Sequence, residues 1–199
     1  YYGQQYMYKM PDLLTAKEYM VMQDETRFNE GNAPYDWAAL LPSDLYQSIM
    51  NGSWTGTNWL KESYNEGAPV QNHSVNIAGG SDMSTYSIGF SYTGREGIIG
   101  KPVQANYERY TGRVNSEHVI LKGKEFDIIK FGETLNFNYI TNSGIATGNI
   151  YWNSVHNLLV SNPLYPVYDS EGNWYDYDDK IANGWNFDWN TGNPIGAFS

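Results

Sequence analysis

"STYSIGFSYTG", residues 84 to 94, sets Tyr86, Ile88, Phe90 and Tyr92 on one parity and Thr85, Ser87, Gly89, Ser91 and Thr93 on the other. Successive side chains of an extended chain point to opposite faces, so this stretch predicts a strand with one apolar wall and one small, polar wall. Two architectures present such a strand. A soluble sheet packs its apolar wall on a core and wets the other. A membrane barrel turns that polarity round, with apolar side chains outward in lipid and polar ones inward in water.

The alternation recurs on both sides. In "VQNHSVNIAGG", residues 70 to 80, Val75 and Ile77 oppose Ser74 and Asn76, and the short break that follows predicts a hairpin into the opening strand. In "YERYTGRVN", Tyr110, Gly112 and Val114 oppose Arg109, Thr111, Arg113 and Asn115. In "IKFGETLNFNY", Ile129, Phe131, Leu135, Phe137 and Tyr139 share one parity, against Lys130, Gly132, Thr134, Asn136 and Asn138. Four strands are therefore expected within residues 70–142. Residues 1–9 read as a further aromatic strand that Pro11 ends.

Residues 10–69 predict a long connection with helices in it. Thr15 and Glu18 stand at capping-box spacing before one helix, and a second is expected to start at Ser43 and stop before Gly52. Residues 143–199 read as another long loop. The breaks thus run long, short (80–83), medium (95–106), short (117–124) and long. Outer-membrane barrels keep that order, because their inner turns are short and their outer loops long.

Composition narrows the partners. With Lys+Arg 12 against Asp+Glu 22 the net charge is -10, and the basic residues are scattered, which argues against a nucleic-acid partner. Charged residues make up 17%, below the roughly 25% of ordinary soluble domains, while 18 Tyr and 7 Trp suit surfaces that are half apolar and half wet. The chain has no cysteine, hence no disulfide or thiolate chemistry. It holds no run of 18 apolar residues and so no spanning helix, but alternating strands escape that criterion. Two details of the strands are exacting. Glu133 falls on the apolar parity, where a bulge near Gly132 or a place beyond the lipid band would accommodate it. Tyr86 and Tyr92 lie six residues apart, roughly 20 Å before tilt, against a band about 25 Å tall, so at most one belongs to an aromatic girdle.

No catalytic constellation emerges, and no pattern calls for a cofactor. His73, His118 and His156 lie far apart without paired-ligand spacing. "DSEGNWYDYDD", residues 169 to 179, lacks the regular oxygen spacing of a calcium loop, and a turn over Ser170–Asn173 is the plainer reading. The candidate ligand-binding residues are Arg109, Arg113, Asn136 and Asn138 on the polar parity, and Trp174, Tyr175, Trp185 and Trp189 in the last loop. The loop aromatics suit stacking on sugars, packing against a partner, or the folding of the loop itself.

The run "QNHSVNIAGGSDMSTYSIGFSYTGREGIIG" followed by "NYERYTGRVN" resembles the start of the barrel in SusC/RagA-type TonB-dependent transporters of the Gram-negative outer membrane. The matching elements are the "QNH" entry, the Gly79-Gly80-Ser81 turn, Tyr86, the Glu96-Gly97-Ile98 triplet, and Tyr107 to Asn115 with its two arginines. Upstream "LLTAKEY" and "TNWL", and downstream "GIATGNIYWN" and "PLYPVYDSEGNWYD", extend the resemblance over nearly the whole chain. It implies an all-β fold: part of a transmembrane antiparallel barrel, 22-stranded in the family, with long outer loops containing short helices. It also implies an importer of oligosaccharides or oligopeptides, capped by a SusD-like surface lipoprotein and driven by TonB through segments outside this chain. Tyr1 is then expected just after the plug and Ser199 inside an outer loop. Arg109 and Arg113 would face lumen and plug, where an ion pair with the plug is the plainer role and contact with substrate the functional one.

Two rivals come from other classes. A secreted β-sandwich binding carbohydrate through its Trp and Tyr loops suits the same composition. A glycan hydrolase would need two carboxylates about 5 to 9 Å apart in a cleft, and the strands supply no such pair.

Overall fold

A computed structural model describes residues 1–103, 105–149, 153–176, 178–179 and 192–198. Its described residues contain one antiparallel sheet of five strands in sequential order: β1 (Tyr2–Gln5), β2 (Ala68–Ser81), β3 (Ser84–Glu96), β4 (Asn106–Lys122) and β5 (Asp127–Ser143). Helices α1 (Ala16–Asn29), α2 (Trp37–Leu40), α3 (Ser43–Met50) and α4 (Trp59–Ser63) fall between β1 and β2, and α5 (Ser154–Val160) follows β5. The chain divides into two compact units. One is the sheet; the other is built from residues 8–65, 99–103 and 145–199.

The register of the sheet sorts every side chain. Antiparallel partners share a face, so one face carries successive rows across β2 to β5: His73, Tyr92, Tyr110, Tyr139; then Val75, Phe90, Gly112, Phe137; then Ile77, Ile88, Val114, Leu135. That wall is bare: Val75 is 61% exposed, Leu135 63% and Phe137 59%. Among the described residues no second sheet packs on it. The outward residues of β5 run from Tyr139 to Ile129, roughly 34 Å along the strand and about 26 Å in height at a barrel's tilt, which matches a lipid band about 25 Å tall. This is an open segment of a β-barrel.

An aromatic row crosses the sheet at the level of Tyr92. Tyr92 lies between His73, at 6.3 Å between ring centroids, and Tyr110, at 4.9 Å, and Tyr110 reaches Tyr139 at 6.3 Å. Beyond them the same face turns polar, with Gln71, Gly94, Glu108 and Thr141, and the Tyr92 hydroxyl lies 3.2 Å from Glu108 Oε1. Tyr86 instead lies over Gly79, where a Cβ would meet its hydroxyl at 2.7 Å.

Glu133 corrects one expectation. Pairing runs unbroken through Gly132, and the register of β4 and β5 shifts only further on, between Val119 and Leu121 and again between Leu121 and Lys122. Glu133 stays on the apolar face, where its carboxylate accepts a hydrogen bond from Ser116 Oγ at 3.0 Å. Ser116 Oγ and Ser84 Oγ lie 3.1 and 3.0 Å from the two ring nitrogens of His118, so the polar groups of this patch partner one another. The register shifts also explain a moved boundary. A break expected over 117–124 shrinks to 123–126, because the two register shifts leave Ile120 and Ile128 without a direct partner and hide the alternation there. The strand expected over 1–9 is confined to Tyr2–Gln5, since β2 begins at Ala68 and offers later residues no partner.

The second unit has its own core of Ala16, Met20, Trp37, Leu41, Ile49, Trp59, Leu60, Leu158, Leu164, Tyr165, Tyr175 and Ile195. Four helix starts follow capping chemistry, whereas α3 begins after Pro42 with no side-chain cap, so Ser43 is its first helical residue and not its N-cap. Thr15 accepts from Glu18 N at 3.3 Å and Glu18 accepts from Thr15 N at 2.9 Å, which holds the Glu18 carboxyl below its ordinary value. Remote segments are stitched through buried polar groups: Trp59 Nε1 donates to Asn162 O at 2.9 Å, and Thr57 Oγ1 donates to Tyr165 O. Gly56, at φ 97°, lies at this seam. A Cβ there would meet Ala16 N at 2.8 Å and Pro163 O at 2.9 Å. Gly56→Ala combines that clash with a left-handed backbone and is expected to destabilise the unit by about 3 kcal/mol, read as faster hydrogen exchange in α1 and α4. Gly89→Ala, which meets Asn76 Oδ1 at 3.4 Å, is expected to leave exchange in its strand unchanged.

Candidate functional site

Two surfaces hold the residues singled out by sequence, one in each unit. The first is the polar face of the sheet. Its rows are Asn72, Thr93, Arg109, Ile140; then Ser74, Ser91, Thr111, Asn138; then Asn76, Gly89, Arg113, Asn136. The register therefore gathers Arg109, Arg113, Asn136 and Asn138 onto one face. Asn138 Oδ1 accepts from Arg109 Nη2 at 3.1 Å and from Thr111 Oγ1 at 3.0 Å, so a neutral amide orients this guanidinium without cancelling its charge. Arg113 stands opposite Asn136, another amide, and beside Gly89, which leaves room above the backbone. One row beyond Arg109 comes Arg95, paired with Val70 and Tyr107 on the same face, which sequence reading did not single out. Its signal was its parity: three residues past Tyr92, it falls with Thr93 and Ser91.

The second surface is a cavity of about 390 Å³ in the loop unit. Pro42, Asp44 and Leu45 at the start of α3 line it, together with Pro166, Tyr168, Asp169, Ser170, Glu171, Tyr175 and Asp179. Its acidic groups build turns. Asp169 Oδ1 accepts from Glu171 N and Asn173 N, each at 2.8 Å, and Oδ2 from Asn173 Nδ2 at 3.0 Å. Asp179 Oδ2 accepts from Asp176 N at 2.9 Å. Among the described residues no group of three or more His, Asp or Glu could hold a metal ion. The turn seals an aromatic pair, with Tyr168 bridged to Trp174 and their rings stacked at 4.8 Å. Tyr175 is buried in the cavity wall. Trp185 and Trp189 lie outside the described residues, as does Phe187. Asp44 joins this cavity from more than a hundred residues away, and no local pattern announced it.

The hydrogen bond from the Asn173 side chain is the main reason why the Asp169 carboxyl is held below its usual 3.8. A depressed carboxyl adds stability above its unfolded value and loses it as pH falls through the folded one. The Trp174 emission, isolated by difference against Trp174→Phe, is expected to be flat from about pH 7 to about pH 5 and to change only below about pH 4. Asp169→Asn is expected to abolish that acid transition.

No family model matches the chain. A TonB-dependent receptor of Formosa agariphila is 24% identical over 198 residues, which is 98% of this chain and 16% of the receptor. The structure of the RagAB peptide transporter superposes with a TM-score of 0.61 at 19% identity, covering 88% of this chain and 21% of that one. The RagAB peptide importer in its open-open state gives 0.63 at 18% identity, covering 98% and 23%. The chain thus spans less than a quarter of the length of each of these relatives. Sheet register, bare apolar wall and these likenesses agree: this chain has the fold of a segment of a SusC/RagA-type TonB-dependent transporter barrel.

Proposed function

We propose that the chain forms the first barrel strands and outer loops of a TonB-dependent importer. That importer moves oligosaccharides or oligopeptides across the outer membrane of a Gram-negative bacterium, together with a SusD-like surface lipoprotein. The observation that carries this reading is the inverted polarity of β2 to β5: a continuous apolar wall, bare and edged by an aromatic row, backed by a face of hydroxyls, amides and arginines. The RagAB structures are named for peptide transport, which favours oligopeptides between the two cargo classes. Their two-part name, RagAB, fits an importer that works with a second component, the place this reading gives to the lipoprotein. TonB enters through the name of the curated relative. The relatives are named a TonB-dependent receptor and a peptide transporter, and neither name is that of an enzyme.

The rival β-sandwich needs the apolar wall buried under a second sheet, and the exposure of Val75, Leu135 and Phe137 speaks against it. Spin labels at residues 88 and 137 of the full-length protein in bilayers are expected to be relaxed by lipid-soluble oxygen. Labels at 89 and 136 are expected to respond instead to a water-soluble nickel chelate. Equal shielding at all four positions would sink the membrane reading.

A further inference from the structure

Charge is segregated across the sheet in a way the acidic composition hides. Between the row of Val70 and the row of Gly80, the polar face carries Arg95, Arg109 and Arg113, and its one carboxylate is Glu117. Glu117 lies 3.5 Å from Lys130 Nζ, one row further on, so among the described residues of this face no carboxylate pairs with the arginines. The apolar face holds Glu108 and Glu133 and no Lys or Arg over the same rows. A chain of net charge -10 thus keeps three positive charges together on one wall.

Their spacing is that of a stripe. Tyr107 pairs with Arg95, which makes Arg109 the diagonal neighbour of Arg95 at about 7–8 Å. Arg113 follows Arg109 on the same strand after about 13 Å. Like charges so placed repel one another, and the neighbouring acceptors on this face are neutral: Asn138 orients Arg109, and Asn136 stands opposite Arg113. A permanent ion pair within the sheet would set carboxylates at those positions. Amides hold the guanidinium groups in place while leaving their charge available, the arrangement that suits an anion which comes and goes.

We propose that Arg95, Arg109 and Arg113 form an anion-binding stripe on the lumen wall, selecting cargo that carries carboxylate or other oxyanion groups. This inference rests on the importer reading and narrows its substrate class. Its test uses the purified full-length transporter and two matched pairs of probes: a hexapeptide with three Glu against its Gln counterpart, and a trigalacturonate against galactotriose. Calorimetry is expected to give at least about tenfold tighter binding for the acidic member of one pair. That preference should shrink to within about twofold in Arg109→Gln and Arg113→Gln, and should weaken with added salt. The responding pair identifies the anion's source as peptide or uronate.

No preference for the acidic member in either pair would overturn the stripe, and so would a preference that survives Arg95→Gln, Arg109→Gln and Arg113→Gln combined. Loss of heat-modifiable folded barrel in the Gln variants would assign the arginines to a carboxylate segment of the protein itself, and would equally overturn it. Failure of the importer reading is separate, because it appears as lipid-inaccessible labels at residues 88 and 137 whatever the probes do.

Discussion

A peptide group in hydrocarbon has no water to bond, and leaving one unpaired there costs several kcal/mol. A strand can cross lipid only if a neighbour takes up each of its amides and carbonyls, and that requirement governs the sheet described here. Pairing is sequential and unbroken from Ser81 and Ser84 at the first tight turn to Arg95, and from Asn106 to Val119 across β4 and β5. Once the backbone is paired, period-two geometry decides the rest. Every second side chain must suit lipid and every other one must suit water, so a shift of one residue would turn the whole chemistry inside out.

The same requirement explains how polar groups are tolerated on the apolar wall. Glu133, Ser116, His118 and Ser84 form a short chain of hydrogen bonds that leaves none of the four to lipid alone. Tyrosine hydroxyls appear where the wall ends, at the row shared by Tyr92, Tyr110 and Tyr139, next to the polar row of Glu108. Glycines complete the surface differently. Gly79 gives its space to the ring of Tyr86, its cross-strand partner in the same row.

Away from the sheet, ordinary globular rules return. The loop unit buries Trp59, Leu158, Leu164 and Ile195 almost completely and closes its seams with indole, hydroxyl and amide hydrogen bonds to backbone carbonyls. Its polar turns are closed by Asp169, Asp176 and Asp179, acids that a count of charges alone would assign to ligand binding. The acidic composition belongs largely to such turns and helix starts, and the polar wall of the sheet carries the opposite sign.

Parity along 84–94, 107–115 and 129–139 by itself determined which residues share a face, because side-chain direction in a strand depends on nothing beyond the local backbone. The capping box at Thr15 was legible for the same reason: its partners lie within one turn. Register, by contrast, is a relation between strands. Only the folded sheet decided that His73, Tyr92, Tyr110 and Tyr139 form one row, that the register shifts on either side of Leu121, and that Arg95 lies diagonal to Arg109. The cavity joining Asp44 to Asp169 was out of reach of sequence as well. Contacts between residues a hundred positions apart are set by how the segments pack, and no local pattern of side chains encodes that distance.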